Sequence, residues 1–366
     1  MQFAQIQTIP EVVNVLKVLS TGLIAFILAF AITPLWTHLL YKYKLGIKIK
    51  SSDVNGEKLK FVSSLHAHKS GTPTMGGVIM WISIIILAFS SHFLFPFFGK
   101  LFDMNFLARL DFLSRKEVWL PLFALASAGV LGLFDDVMSV RGWGKNKGGG
   151  MRFAMRFGWL IAIATAGGFW FYYKLGWDVL HIPAFGDFSI GLWYIPLFIF
   201  VILFAAVSSN ETDGLDGLNG GVLLLAFFSF AIIAFFQNKV NLSAFCAAMS
   251  GVILAFLWFN IQPARFMMGD TGAMSLGTTL GVVAMLTNSA VVLFLIVLVY
   301  VLESGSVTIQ LLSKKYFHRK VFLAAPLHHH FEAKGWPECK IVMRAWIFTM
   351  VTALMGVVIA IFGMGR

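Results

Sequence analysis

The sequence predicts an all-α integral membrane protein, a bundle of about ten transmembrane helices with catalytic loops on the cytoplasmic side. The first observation is composition: 58% of the 366 residues are hydrophobic and 12% are charged, about half the charged share of a soluble domain. The second is that apolar stretches long enough to cross a bilayer follow one another along the chain. We place them at 17–40, 73–95, 118–134, 153–173, 191–209, 217–236, 243–261, 272–287, 289–312 and 341–363.

The whole chain, 1–366, is predicted to form a single polytopic membrane domain, since no internal repeat or separate soluble region interrupts the apolar stretches. The N-terminus lacks the pattern of a cleavable signal peptide, so we expect the first span to direct insertion. Two cysteines offer no disulfide framework. Between the fourth and fifth spans, two short apolar runs surround Pro183 and Gly186, which predicts a small hairpin on the outer side.

Lysine and arginine are divided unevenly between the two sides that ten spans define. Of the 28 basic residues, 20 lie on or beside the odd-numbered connections. Because positive residues are retained in the cytoplasm, we expect those connections to be cytoplasmic and both termini to lie outside.

Carboxylates gather on the same side, at the ends of three spans. Asp135 and Asp136 are adjacent, Asp213 and Asp216 would share a face of a helical turn, and Asp270 follows the seventh span. One interpretation is solvated carboxylates at helix ends. The other is a cation site, since adjacent carboxylates repel each other unless a cation compensates them. Oxygen ligands favour Mg²⁺, which combines one or two carboxylates with substrate phosphates.

Three further features accompany these carboxylates. His328, His329 and His330 are consecutive, which favours hydrogen bonding to a diphosphate over a plain surface loop. Lys69 to Gly77 (KSGTPTMGG) begins the second span and is either an anion-binding helix start or a set of small packing residues. Glu303 lies within a span, where a carboxylate is functional or paired, and the neighbouring Ser304 to Ser306 predict a bend. Together these features indicate phosphoryl chemistry on a lipid substrate at the membrane surface.

Several motifs, in this order, resemble those of the phospho-N-acetylmuramoyl-pentapeptide transferase family over nearly the full chain. The triple histidine followed by GWPE is the most specific, because it separates this family from related polyprenyl-phosphate transferases for other sugars. The matching stretches are GTPTMGG at 71–77, FDD at 134–136, Asn210 with TDGLDG at 212–217, FLWFN at 256–260, MGD at 268–270, APLHHH at 325–330, Glu332, and GWPE at 335–338.

The resemblance implies an activity and a setting. The family transfers phospho-MurNAc-pentapeptide from UDP-MurNAc-pentapeptide to undecaprenyl phosphate with Mg²⁺, forming lipid I and releasing UMP, the first membrane step of peptidoglycan synthesis. It implies ten spans in the bacterial cytoplasmic (inner) membrane, catalysis on the cytoplasmic face, surrounding membrane lipid, a homodimer and no nucleic-acid partner. Whether the lipid phosphate attacks directly or through an aspartyl intermediate is left open.

The resemblance also implies residue roles. Asp270 is the expected Mg²⁺ ligand, and Asp135 is the base for the lipid phosphate. Support for catalysis is expected from Asp136 and Asp213, and diphosphate contacts from His329 and His330. The substrate-binding residues implied on the nucleotide side are Lys69, Thr74, Asn210, Gly214, Leu215, Asp216, Asn260 and His328.

This chain also departs from the family pattern. Val207 stands where the family usually has Asn, Glu211 where it has an apolar residue, and Met267 where it often has Phe for stacking on uracil, the Phe being displaced here to Phe266. The basic residue after the third span corresponds to Arg152 or Arg156. Two alternatives therefore stand beside the family's reaction: a related transferase for another UDP-sugar, and a polyprenyl-phosphate binder or transporter without catalytic activity.

Overall fold

The structure, a computed structural model, describes residues 10–46, 71–102, 107, 109–113, 116–143 and 150–364, and within them it is almost entirely helical. The helical state follows from the apolar composition, because lipid offers no hydrogen bonds to the backbone and a helix satisfies its own. The predicted all-α membrane fold is therefore confirmed.

The described residues contain twelve α-helical segments and one two-stranded sheet. Two of the helices contain a π-helical turn, at Ser90–Leu94 (inside α2) and at Trp170–Lys174 (at the end of α4). The segments are α1 (Pro10–Lys42), α2 (Gly77–Leu101), α3 (Trp119–Arg141), α4 (Phe153–Lys174), β1 (Val179–Ile182), β2 (Gly186–Ser189), α5 (Tyr194–Thr212), α6 (Leu218–Phe236), α7 (Val240–Asn260), α8 (Gly269–Leu286), α9 (Ala290–Ile296), α10 (Leu298–Phe317), α11 (Leu327–Ala333) and α12 (Glu338–Gly363).

Eight of the described helices are long and apolar enough to cross a membrane, or nine if α9 and α10 form one bent span. The sequence predicted ten, and that count is not confirmed. The difference is α8, the eighth predicted span, which is rich in Gly, Ser and Thr. Every residue of α8 from Thr271 to Leu286 is buried by the surrounding protein, so this helix does not need an apolar lipid-facing surface.

Helix α8 forms the centre of the bundle, where it packs against α2, α3 and α5. Small residues allow the close approach. A Cβ atom on Gly132 of α3 would collide with the backbone of Asp270 and Thr271 at the start of α8. The crossing of α3 and α8 therefore brings the end of one helix, with its carboxylates, directly onto the N-terminus of the other.

The predicted hairpin is present between α4 and α5. Strands β1 and β2 pair antiparallel with Val179 opposite Ser189 and Ile182 opposite Gly186. The backbone N–H of His181 also donates to Asn288 Oδ1, which fixes the hairpin on the turn between α8 and α9.

The predicted span 289–312 is broken rather than continuous. Helices α9 and α10 meet at Val297 with a bend of 83°. The bend expected at Ser304 to Ser306 is wrong, since these residues lie inside α10. After Val297 the chain carries Tyr300, Glu303 and Ser304, whose side chains bond to other elements of the bundle. Hydrogen bonds from α10 to other helices therefore follow the bend directly.

Candidate active site

Asp136 caps the N-terminus of α8 from the neighbouring helix α3. Its Oδ1 accepts the backbone N–H of Asp270 at 3.2 Å, and its Oδ2 accepts that of Thr271 at 3.0 Å. The first N–H groups of a helix have no partner within the helix, and a carboxylate placed there also interacts favourably with the helix dipole. Asp136 is buried, so it supports the backbone of Asp270 from the inside of the protein.

Gly269, at the start of α8, makes this capping contact possible. Its φ is +76°, which disfavours other residues, and a Cβ atom there would lie 2.6 Å from Asp136 Oδ2 and 2.7 Å from Thr74 Oγ1. The glycine of the Met268-Gly269-Asp270 motif therefore allows the carboxylate of Asp136 to reach the helix start.

Arg156 on α4 bridges the two remaining carboxylates of this cluster. Its Nη1 lies 2.6 Å from Asp270 Oδ2 and 3.1 Å from Asp135 Oδ2. The other Asp135 oxygen accepts the backbone N–H of Met151 at 2.5 Å. Of the two arginines that the sequence offered for this position, Arg156 is the one that enters the cluster. The sequence signal was only a basic residue near the start of the fourth span.

Asn210 completes what we call the carboxylate cluster: Asp135, Asp136, Arg156, Asn210 and Asp270. Its Nδ2 donates to Asp270 Oδ1 at 2.5 Å. Helices α3, α4, α5 and α8 each contribute to the cluster, and Asp270 is its most accessible carboxylate, with 27% of the side chain exposed against 5% for Asp135. One end of the bundle therefore presents a partly neutralised set of oxygen atoms to solvent.

The donor set of this cluster suits a hard cation that is shared with a substrate. Among the described residues, no three His, Cys, Asp or Glu side chains form a complete metal-binding group. Mg²⁺ commonly uses only one or two carboxylates and takes its other ligands from phosphates and water. The exposed carboxylate of Asp270 fits that requirement.

The segment 213–217 is a turn between α5 and α6, not the helical turn on which Asp213 and Asp216 would share a face. Asp213 is half-buried at the end of α5. Asp216 is buried: its N–H donates to Glu338 Oε1 at 2.7 Å, and its Oδ2 accepts the N–H of Ala264 at 3.0 Å. Asp216 thus braces the turn against α12 and the 261–268 loop, a contact that the sequence alone did not indicate.

Asn260 makes a second brace between the same two segments. Its Oδ1 accepts the N–H of Gly217 at 3.0 Å, and its Nδ2 donates to the carbonyl of Phe266 at 2.8 Å. Leu215 is buried in an apolar cluster with Leu218, Ile341 and Val342. The side chains of these two residues, both expected on the nucleotide side, are therefore directed into the protein.

The 266–268 segment also pairs with the residues before α2. Met267 N–H donates to Pro73 O, and Gly76 and Gly77 N–H donate to Met267 O and Met268 O at 2.9 and 2.8 Å. These N–H groups are therefore occupied, which favours the packing interpretation of the 69–77 motif over anion binding. The buried Thr74 lies beside Gly269, while Lys69 falls outside the described residues.

Phe266 is fully buried and packs against the rings of Phe256 and Phe259. A ring in this position does not face solvent, so it does not replace an aromatic side chain at Met267 as a stacking surface for a base.

The three histidines lie on a short helix, α11, and not in a surface loop. His328 is buried, and Glu303 of α10 holds it twice: Glu303 Oε2 lies 3.2 Å from the His328 backbone N and 3.0 Å from the ring Nδ1. The opposite ring atom, Nε2, is buried, has no hydrogen-bond partner among the described residues and lies against Gly214. Glu303 is therefore a paired carboxylate, and Gly214 provides the space for the imidazole.

The other two histidines differ in their surroundings. His329 Nδ1 lies 2.7 Å from Glu332 Oε2, one turn along α11. His330 Nδ1 accepts the backbone N–H of Leu323 at 3.2 Å, and partial desolvation and then Lys334 lower its pKa. A neutral ring is consistent with its role as an acceptor. The histidines and the carboxylate cluster are linked through α5 and its turn, because Asn210 bonds to Asp270 while Gly214 contacts His328.

The fold and the carboxylate cluster indicate the general class of this protein. The protein is a multi-pass helical membrane protein whose acidic and histidine-bearing segments meet at the helix ends. This arrangement is typical of a membrane-bound transferase. Consistent with this, the profile of glycosyl transferase family 4 matches residues 118–288, which include the whole carboxylate cluster. A second profile, phospho-N-acetylmuramoyl-pentapeptide-transferase signature 1, matches residues 69–79.

Curated relatives specify the family. The phospho-N-acetylmuramoyl-pentapeptide-transferase of Chloroflexus aggregans is 35% identical over 353 residues, covering 93% of this chain and 88% of the relative. The protein of the same name from Clostridium novyi is 32% identical, covering 91% and 94%, and that from Bartonella quintana is 37% identical, covering 80% of each. The chain belongs to the phospho-N-acetylmuramoyl-pentapeptide-transferase family. The two alternatives, a transferase for another UDP-sugar and a non-catalytic binder, are not favoured.

Proposed function

We propose that this protein transfers phospho-MurNAc-pentapeptide from UDP-MurNAc-pentapeptide to undecaprenyl phosphate, forming lipid I and releasing UMP. The family membership carries this assignment, since relatives with this activity in their names align with nearly the whole chain. The carboxylate cluster supports it, because it places acidic, amide and guanidinium groups together at the end of four membrane helices.

In this proposal Asp270 would hold Mg²⁺ together with phosphates of the substrates. Bound Mg²⁺ supplies positive charge that offsets the charge developing on the phosphate oxygens. The rest of the cluster prepares Asp270 for this role. Asp136 fixes its backbone, and Asn210 and Arg156 each hold one of its carboxylate oxygens.

Asp135 is proposed as the base that removes the proton from the lipid phosphate. An oxygen of the deprotonated phosphate then attacks the phosphorus that carries the sugar, and the bond from that phosphorus to the bridging oxygen breaks as UMP leaves. Both Asp135 oxygens accept hydrogen bonds, from Met151 and Arg156, and the side chain is 5% exposed. We propose direct attack by the lipid, with Asp135 acting as a base and not as a covalent phosphoryl carrier.

The remaining predicted residues have two kinds of role in this proposal. Some contact the substrate, and others support the backbone that forms the site. His329 and His330 are partly accessible and are proposed to contact the diphosphate, and Asp213, half-buried at the end of α5, is proposed to support catalysis. The nucleotide side is shaped by the backbone of the 213–217 turn and the 261–268 loop. The buried supports of that backbone are Thr74, Leu215, Asp216, Asn260 and His328.

The setting is proposed to be the bacterial cytoplasmic membrane, with the carboxylate cluster on the cytoplasmic face, both termini outside, and a homodimer as the working form. Sidedness is supported by the 20 basic residues on one set of connections. The dimer is supported by the family resemblance, and chemical cross-linking in native membranes, followed by sizing, tests it.

The reaction is tested by measuring UMP release by the purified protein with undecaprenyl phosphate and Mg²⁺. UDP-MurNAc-pentapeptide and UDP-GlcNAc are supplied in parallel reactions, and EDTA is added to a third. Release from the first donor alone, lost with EDTA, is the expected result. Release from UDP-GlcNAc alone would contradict the donor assignment, and release from neither would contradict the transferase activity.

A further inference from the structure

Glu211, the last residue but one of α5, makes a polar contact with α10 that the proposed reaction does not use. Its Oε2 lies 2.5 Å from Ser304 Oγ, and Ser304 Oγ lies 2.7 Å from Ser208 Oγ. A hydroxyl group has one proton to donate and lone pairs that accept. Because a carboxylate only accepts, Ser304 donates to Glu211 and accepts from Ser208. The three side chains therefore form a directed chain of hydrogen bonds between α5 and α10.

This contact bears on the direction of α10. The 83° bend at Val297 separates α10 from α9, so continuity of the helix does not determine where α10 lies. Its side-chain partners on other helices must fix it. The described contacts of this kind near its start include the hydroxyl of Tyr300, which donates to Asn219 Oδ1 at 2.5 Å, and Ser304 with Glu211 and Ser208 on α5.

The residue next to Ser304 holds the first histidine. Glu303 Oε2 binds both the backbone N–H and the ring Nδ1 of His328, and the far side of that ring lies against Gly214. Gly214 follows Glu211 by three positions. Three contacts therefore connect these segments in a ring. Glu211 contacts Ser304, Glu303 contacts His328, and His328 contacts Gly214 in the turn after Glu211.

We propose that Glu211 is a positioning residue for the transfer reaction. Its hydrogen bond with Ser304 holds α10 in the one orientation in which Glu303 seats His328 against Gly214. Glu211 acts through these residues and touches no substrate. The kinetic part of this inference rests on the proposed function, whereas the seating of His328 is measurable without any substrate.

The variants follow from the hydrogen-bond chain. Glu211→Leu removes the acceptor, Glu211→Gln keeps an oxygen that accepts from Ser304, and Ser304→Ala removes the donor. Ser306→Ala is the matched control, because Ser306 lies on the same helix and its hydroxyl donates to the carbonyl of Glu303 within α10.

In kinetics, Glu211→Leu is expected to lower kcat about tenfold, the size of a lost hydrogen bond to a charged group, with the KM for the nucleotide donor changed less than twofold. Glu211→Gln restores most of kcat. Adding Ser304→Ala to Glu211→Leu causes a smaller loss than the sum of the two single losses, since both changes break the contact between Glu211 and Ser304. Wild-type kcat in Glu211→Leu would overturn the proposal, as would additive losses in the double variant.

The second readout is modification of His328 by diethyl pyrocarbonate, located by mass spectrometry. In the wild type His328 is buried and is expected to react slowly, while the more accessible His330 reacts quickly and serves as the internal reference. Glu211→Leu should raise modification of His328 at least threefold relative to His330, and Ser306→Ala should not. Unchanged protection of His328 in Glu211→Leu contradicts the proposal. If the wild type releases no UMP, the proposed function fails, and the modification ratio by itself still decides the seating of His328.

Discussion

Asp136 determines where Asp270 stands, because its two carboxylate oxygens accept the backbone N–H groups of Asp270 and Thr271 at 3.2 and 3.0 Å. The adjacent residue, Asp135, instead bonds with Arg156 and Met151. Two neighbouring carboxylates thus have different tasks. One supports the start of α8, and the other lies with Asp270 around a shared guanidinium.

Asp136→Ala should destabilise the protein more than it changes the chemistry. It leaves the N–H groups of Asp270 and Thr271 without their acceptor, the second of them buried, at a cost of about 1–3 kcal/mol in the free energy of unfolding. Thermal unfolding in detergent measures this, and Asp136→Asn should lose less because it keeps one acceptor oxygen. A substitution of the exposed Leu354 by Ala is the control. An unfolding temperature of Asp136→Ala equal to that of the wild type would contradict the capping role.

Asp270→Asn should abolish turnover while the protein still folds and inserts. The amide keeps the size of the side chain but removes the negative charge proposed to hold Mg²⁺. UMP release should fall at least a hundredfold, with normal yield in the membrane fraction and a thermal unfolding midpoint close to that of the wild type. Turnover at the wild-type rate would remove Asp270 from the site.

Arg156→Met should lower kcat and also change the Mg²⁺ requirement. The guanidinium lies 2.6 Å from Asp270, so it occupies an oxygen that the metal ion would use. Without it, we expect kcat to fall about 10–100-fold through lost charge stabilisation, and half-maximal activity to occur at a lower Mg²⁺ concentration. Arg156→Lys, which keeps the charge, should lie between. An unchanged Mg²⁺ titration curve in Arg156→Met would count against competition between the guanidinium and the metal.

Direct attack by the lipid phosphate predicts no UMP release in the absence of undecaprenyl phosphate. An aspartyl intermediate would instead release about one UMP per active site before the lipid is added. Rapid-quench measurement with the donor alone distinguishes the two. A stoichiometric burst that disappears in Asp135→Asn would show that Asp135 is a nucleophile and not a base.

The native cysteines test sidedness without new labels. Cys339, at the start of α12, is exposed, whereas Cys246 is buried in α7. A membrane-impermeant maleimide should therefore label the protein in inside-out vesicles but not in intact spheroplasts. The Cys339→Ser variant should lose the label. Labelling from the outside of spheroplasts would reverse the orientation inferred from the basic residues.

The sequence by itself determined the membrane class, the approximate helices, the hairpin and the family. Long apolar stretches are helical in lipid wherever they lie. Motifs such as the triple histidine can be recognised from the order of the residues alone. It also identified Asp135, Asp136 and Asp270 as candidates, because charged residues at span ends are conspicuous against an apolar background.

Only the tertiary structure decided which of these residues meet and in what role. Arg156 and Asp270 are 114 positions apart, and Asp136 and Asp270 are 134 apart. The rotation of one helix against another is set by packing, such as the close approach at Gly132, and no local periodicity encodes it. The same holds for the break at Val297 and for the pairing of Glu303 with His328. The pairing joins α10 to α11, and the break is followed by polar contacts of α10 with other helices.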